Sequence, residues 1–170
     1  MKWVIFDANI IIYLAGLKKL KSLFSVCTVY MTETIYSECK FYIDNKTGVK
    51  KQINLGKYKK SKKLIVKGID VEDMLKADIH DNVELFKKRY DIHRGEEEAI
   101  YYIHDNPEYK FCAGDAAAYK LLGYLNMQEN AISLEQVIGR LSGIGKQYTE
   151  EFMKNNLESG LRMMIENGRF

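Results

Sequence analysis

The chain has 170 residues, 46% of them hydrophobic and 29% charged, and a net charge of +3. That is enough to bury one core without staples, while so small a charge does not by itself argue for a nucleic-acid partner. Three cysteines without CxxC or zinc spacing point to reduced thiols and a cytoplasmic setting, and no apolar run approaches the roughly 18 residues that would imply a membrane span.

In chain order, Trp3 to Phe6 is a short apolar run that predicts a fully buried strand. Asp7, Ala8 and Asn9 follow at once, and Asp7 interrupts what would otherwise resemble a signal-peptide core. Asp7 therefore stands at the carboxyl end of a first strand, where open α/β sheets place their ligands. The plainer alternative is a helix cap, because Asp before an apolar-periodic run is a common start signal. Ile10 to Leu20 predicts a short helix, Leu23 to Tyr30 a second strand, and Thr32 the N-cap of a second helix. Strand and helix alternating at this spacing imply βαβ units and a parallel sheet. In the second helix Met31, Ile35, Glu38 and Tyr42 share one stripe, which puts Glu38 among apolar neighbours. A carboxylate there is costly unless paired, protonated or bound to a cation, or unless it snorkels to water.

From Lys46 to Lys67 there are nine lysines and no acid, which predicts an exposed basic insert over about 45–67. Such runs are either simply solvated or footprints for a phosphate backbone. Gly68 to Tyr90 predicts one or two amphipathic helices. Arg94-Gly95-Glu96-Glu97-Glu98-Ala99-Ile100 opens another helix, and three glutamates there suit the macrodipole. Glu96, Ala99, Ile100 and Ile103 share a face, so Glu96 heads the buried stripe and Glu98 points away from it. Asn106-Pro107-Glu108 ends that helix, Tyr109 to Ala113 predicts a strand, and Asp115 follows it as Asp7 follows the first. A helix over Ala116–Leu122, a last strand within Gly123–Ala131 and a Ser133-capped helix are expected next, then a terminal amphipathic helix over about 147–166. Residues 1–145 thus read as one domain, with 146–170 packing onto it.

Each acid taken singly has a bland explanation, but jointly they are less bland. In a doubly wound sheet Asp7, Glu38, Glu96 and Asp115 can converge on one cleft. Clustered carboxylates repel, and a hard divalent cation is the simplest means of stabilising them. Mg²⁺ or Mn²⁺ fits an all-oxygen set; zinc does not, since His80, His93 and His104 form no HExxH-like pattern. Such ions activate water and stabilise the leaving oxygen of a phosphodiester, which is nuclease chemistry.

These residues resemble the PIN-domain family. Val4-Ile5-Phe6-Asp7-Ala8-Asn9 is similar to its opening strand and Asp-x-Asn, and Thr32 to Glu38 to its second motif. Gly95-Glu96-Glu97-Glu98-Ala99-Ile100 resembles its Gly-Glu-x-Glu-Ala-Ile variant, and Cys112-Ala113-Gly114-Asp115 its fourth motif, with Ala113 where a Thr is common. The resemblance spans about residues 3–140 and implies a three-layer α/β/α sandwich with a central, mainly parallel sheet. It implies Mg²⁺- or Mn²⁺-dependent cleavage of single-stranded RNA, with Asp7, Glu38, Glu96 and Asp115 as ligands and Asn9 in support. Aligning on Glu-Ala would favour Glu98 as the third acid, whereas the helical stripe favours Glu96. Lys57, Lys59, Lys60, Lys62 and Lys63 are expected to meet the RNA backbone. Many compact members are toxins held by an antitoxin, so an inhibitory protein partner and a homodimer are further expectations. Two alternatives stand beside this. One is an inactive PIN-fold module that binds RNA or protein. The other is a phosphatase-like hydrolase with Asp7 as nucleophile, against which Asn9 argues because a second Asp is usual there.

Overall fold

The computed structural model describes residues 4–44, 46–139 and 149–166. Its central strand is β1 (Val4–Phe6), three apolar residues buried on both faces. Burial of both faces is what an interior strand of a parallel sheet requires, and it produces an unbroken apolar run instead of alternation. β2 (Val29–Thr32) and β6 (Lys110–Cys112) pair with β1 in parallel on its two sides, and β5 (Leu64–Lys67) pairs in parallel with β2. The order is β5-β2-β1-β6, flanked by helices in a three-layer α/β/α sandwich.

From β1 the chain runs through α1 (Ala8–Gly16) and α2 (Leu20–Val26) to β2. α3 (Glu33–Glu38) leads into a separate antiparallel hairpin, β3 (Phe41–Ile43) and β4 (Lys50–Gln52), and α4 (Gly56–Lys60) leads on to β5. α5 (Val71–Lys76), α6 (His80–Lys87) and α7 (Arg94–Asp105) then carry the chain back to β6, on the far side of β1. β1 and β6 therefore flank the point where the strand order reverses, the crevice in which open α/β sheets bind ligands.

α8 (Ala116–Tyr124), α9 (Leu134–Ile138) and α10 (Glu150–Glu166) complete the fold. α8 and α10 cross backbone to backbone. A Cβ on Gly123 would run into the Leu157 carbonyl, and one on Gly160 into the Lys120 carbonyl. Two glycines thus set this crossing, and Met153 and Leu157 of α10 are buried. Cys27, Cys39 and Cys112 are free thiols, all buried. Among the described residues no helix is long and apolar enough to cross a membrane.

Four local expectations are corrected. Leu23–Tyr30 is not one strand: α2 takes its first half, because one helical turn puts Leu23, Phe24 and Cys27 together in the core. The helix expected from Met31 is only six residues long, so Tyr42 lies on β3 and Glu38 is exposed in the last turn instead of sitting within a buried stripe. The basic stretch is not wholly an insert, since Leu64–Lys67 is an edge strand of the main sheet with Leu64 buried. No strand forms within Gly123–Tyr124 or up to Asn130. α8 runs to Tyr124, Asn126 adopts φ 59°, a 3₁₀ turn covers Gln128–Asn130, and Ala131 alone bridges to Phe111. Trp3, residues 147–148 and the boundary placed at 145 lie outside the described residues.

Candidate active site

Asp7 leaves the carboxyl end of β1 with its amide donating to the Cys112 carbonyl of β6 at 3.1 Å, so the strand pairing itself aims it into the crevice. It occupies the cap position of α1, yet its side chain makes no cap hydrogen bond. Its carboxylate is buried, and among the described residues Oδ2 has no hydrogen-bond partner. Burial pushes Asp7 up to about 6, opposed in part by the backbone amides of Gly114, Ala8 and Asn9 and aided by the charge of Glu38.

Asp115 follows β6 and does cap α8: the Ala117 amide donates to its Oδ1 at 2.6 Å. The two strand-end acids have therefore parted company. Asp115 is held by its cap, whereas Asp7 Oδ2 has no hydrogen-bond partner among the described residues.

Glu96 enters on the first turn of α7 and is 1% exposed. Oε2 accepts the His93 amide at 3.2 Å, and Oε1 is buried with no partner among the described residues. Burial, then the charges of Asp7 and Asp115, push Glu96 up to about 8, and Glu38 adds to the rise. The four acids are near enough to feel one another's charge. Glu96 senses the other three, and Asp7 senses Glu38. Cys39, beside them, is pushed up to about 12 by burial and then by Asp7 and Glu38.

The remaining glutamates go elsewhere. Glu98 Oε1 accepts from Thr34 Oγ1 and from Arg94 Nε, both at 2.9 Å. It is buried, not turned to solvent as its position on the helix predicts, because α3 covers that face. Glu97 pairs with Lys87 at 3.1 Å. Among the described residues no ion pair is made by Asp7, Glu38, Glu96 or Asp115. Of the two rivals for the third acid, Glu96 is the one raised by the charges of Asp7, Asp115 and Glu38.

The opening is a pocket of about 230 Å³ lined by Asp7, Ala8, Asn9, Ile12, Glu38 and His93. Asn9 is exposed at its mouth. His93 is a lining residue that sequence reasoning missed; its place three residues before Glu96, at the N-cap of α7, was the available signal. The expected lysines, Lys57, Lys59, Lys60, Lys62 and Lys63, are all exposed on α4 or just after it, outside this pocket.

Carboxylate oxygens suit a hard divalent cation, and two of them here are buried with nothing to satisfy them. Among the described residues no group of three or more His, Cys, Asp or Glu side chains is placed to hold a metal ion. The donor atoms, all carboxylate oxygens, suit such an ion in their chemistry. Comparison with protein-family models, curated proteins and solved structures found no match.

Proposed function

We propose that this chain is a Mg²⁺- or Mn²⁺-dependent endoribonuclease acting on single-stranded RNA. The observation that carries the proposal is the pair of buried, unpartnered carboxylate oxygens, Asp7 Oδ2 and Glu96 Oε1, at the sheet's switch point. The ordered likeness of four sequence motifs to PIN domains supports RNA as the substrate. When bound, the cation supplies Lewis-acid polarisation of a phosphodiester and acidifies water.

The chain's own residues do the rest. Asp7 and Glu96 would hold the ion from the floor of the crevice, and Asp115 and Glu38 would complete the negative field. Without a cation, a proton held on the Glu96 carboxyl would relieve the repulsion among the four. Ala117 keeps Asp115 from swinging by fixing one of its oxygens. Glu38, exposed at the rim, is free to approach an incoming group. Asn9 and His93 line the mouth and can orient a phosphate oxygen or a water molecule through hydrogen bonds.

The test is cleavage of labelled single-stranded RNA with Mg²⁺ or Mn²⁺, comparing wild type, Asp7→Asn and an EDTA control. The expected result is cleavage by wild type alone. Undiminished cleavage by Asp7→Asn would sink the proposal. Salt-sensitive RNA binding with no cleavage under any condition would instead mark an inactive binding module.

A further inference from the structure

A larger groove, of about 610 Å³, opens beside the acidic pocket between the end of α3 and the β3–β4 hairpin. Its size lies within the roughly 300–1,000 Å³ of small-ligand sites. The two openings share a wall. Ser37, Cys39 and Lys40 line the groove, while Glu38, in the middle of that run, lines the acidic pocket. A strand of nucleic acid whose phosphate sat at Glu38 would have its neighbouring nucleotide over the groove.

The lining carries the chemistry that a nucleotide needs. Tyr36 comes from α3 and Phe41 from β3, and Phe41 is 46% exposed although it is a large apolar side chain. Each ring has a lysine beside it: Lys59 Nζ lies 5.3 Å from the Tyr36 centroid and Lys50 Nζ 4.7 Å from that of Phe41. A flat face with a cation next to it matches a base with its phosphate, the pairing used by sequence-tolerant single-strand binders. Gln52, directly opposite Phe41 in the hairpin register, and Asn54 are exposed amides that can meet a base edge.

The platform is also held in place. Asp44 is buried under the hairpin turn, where its Oδ2 pairs with Lys51 at 2.7 Å and Lys18 at 3.4 Å. Its Oδ1 accepts the amides of Lys46 and Thr47. Loss of conformational freedom on binding is therefore partly met in advance.

We propose that this groove binds the bases of single-stranded RNA next to the scissile phosphate, with Phe41 and Tyr36 as stacking surfaces. The placement relative to a scissile bond rests on the nuclease reading; base binding in the groove does not. Charge complementarity selects nucleic acid as the occupant. The segment from Lys46 to Lys67 holds nine lysines and no acid, and Asp44, just before it, is already paired.

The experiment measures binding of the full chain, in EDTA, to a fluorescent octauridylate and to an abasic oligomer of equal length and charge. Wild type is compared with Phe41→Ala, Tyr36→Ala and Phe41→Trp, with thermal melts to verify folding. Each alanine variant should weaken octauridylate binding roughly 5- to 100-fold, and Phe41→Trp should retain it. The abasic oligomer should bind wild type weakly and not distinguish the variants. Equal affinity of wild type and Phe41→Ala for octauridylate would overturn the proposal, as would abasic binding as tight as that of octauridylate. So would sedimentation showing a second copy of the chain seated on the groove and released by Phe41→Ala. If binding follows expectation while no RNA is cleaved with Mg²⁺ or Mn²⁺, the groove stands and the nuclease reading falls.

Discussion

Gly95 and Ile35 are so close that a Cβ added to the glycine would lie 2.7 Å from Ile35 Cγ1. The same Cβ would lie 3.6 Å from Glu38 Oε2, so the start of α7 is pressed against the helix that carries Glu38. The missing side chain is what lets the start of α7, one residue before Glu96, pack against the helix that ends at Glu38. Gly95→Ala should therefore cost about 1–3 kcal/mol by overpacking, since Ile35 is fully buried and cannot swing clear. Divalent-cation affinity should fall with it. Urea melts and a Mn²⁺ titration on the same variant measure both effects.

Glu96 and Glu98 should behave oppositely when each loses its charge. Glu96→Gln removes a repelled carboxylate, so without metal the variant should melt at the same temperature as wild type or higher, while cation binding and cleavage are lost. Glu98→Gln weakens a partly buried pair with Arg94 and keeps an acceptor for Thr34, so a destabilisation near 1 kcal/mol is expected with cleavage within a few-fold of wild type. Thermal melts with EDTA and RNA cleavage rates separate the two. Loss of cleavage in Glu98→Gln alone would reverse the assignment.

The raised acids make stability depend on pH in an unusual direction. Folded Asp7 titrates at about 6 and Glu96 at about 8, against ordinary values of 3.8 and 4.5. A carboxyl raised by folding contributes stability while it can hold its proton, and that contribution fades as pH rises through the folded value. In EDTA the melting temperature should accordingly fall by several degrees between about pH 5 and about pH 8.5. Added Mg²⁺ or Mn²⁺ should recover most of the loss, with its largest effect at the alkaline end. A cation effect that is larger at acid pH would contradict this. Below about pH 4 the opposite sign takes over at Asp44, which Lys51 and the Lys46 amide hold well below the usual carboxylate range.

Gly160→Ala should be among the most damaging single methyl additions in the chain. Its Cβ would meet the Lys120 carbonyl and the Tyr124 amide nitrogen, backbone atoms that no rotamer change can move. A loss of about 1–3 kcal/mol or more is expected, with α10 parting from α8. Hydrogen exchange along Glu150–Glu166 reads this directly: protection should drop across the helix while that of β1 changes far less.

What could be read from the sequence was local. The buried first strand needs only Val4-Ile5-Phe6, and the caps at Thr32, Asp115 and Ser133 are each decided within three residues. The strand-end position of Asp7 follows from the same stretch. Misreadings came where a distant partner decides. Thr34 and Arg94 claim Glu98, and only the first of them lies far off in sequence, 64 residues away. β5 was hidden because its apolar run, Leu64-Ile65-Val66, is short and flanked by lysines, and only its pairing with β2 makes it a strand. Glu38 was misplaced because helical periodicity was extended past Cys39, where the backbone turns into the hairpin. Periodicity cannot foresee its own end when the stop signal is neither Gly nor Pro.

β5 also determines how the lysine-rich surface could change over time. The hairpin and α4 lie between Glu38 and Leu64 and are tied to the core by Cys39, Ile53 and Leu55 and by the Asp44–Lys18 pair. Their exposed positions, such as Lys50, Gln52, Asn54, Lys57 and Lys60, can be exchanged without touching those anchors or the pairing of β1 with its neighbours. The character of this surface can therefore change while the sheet and the crevice beside β1 stay as they are.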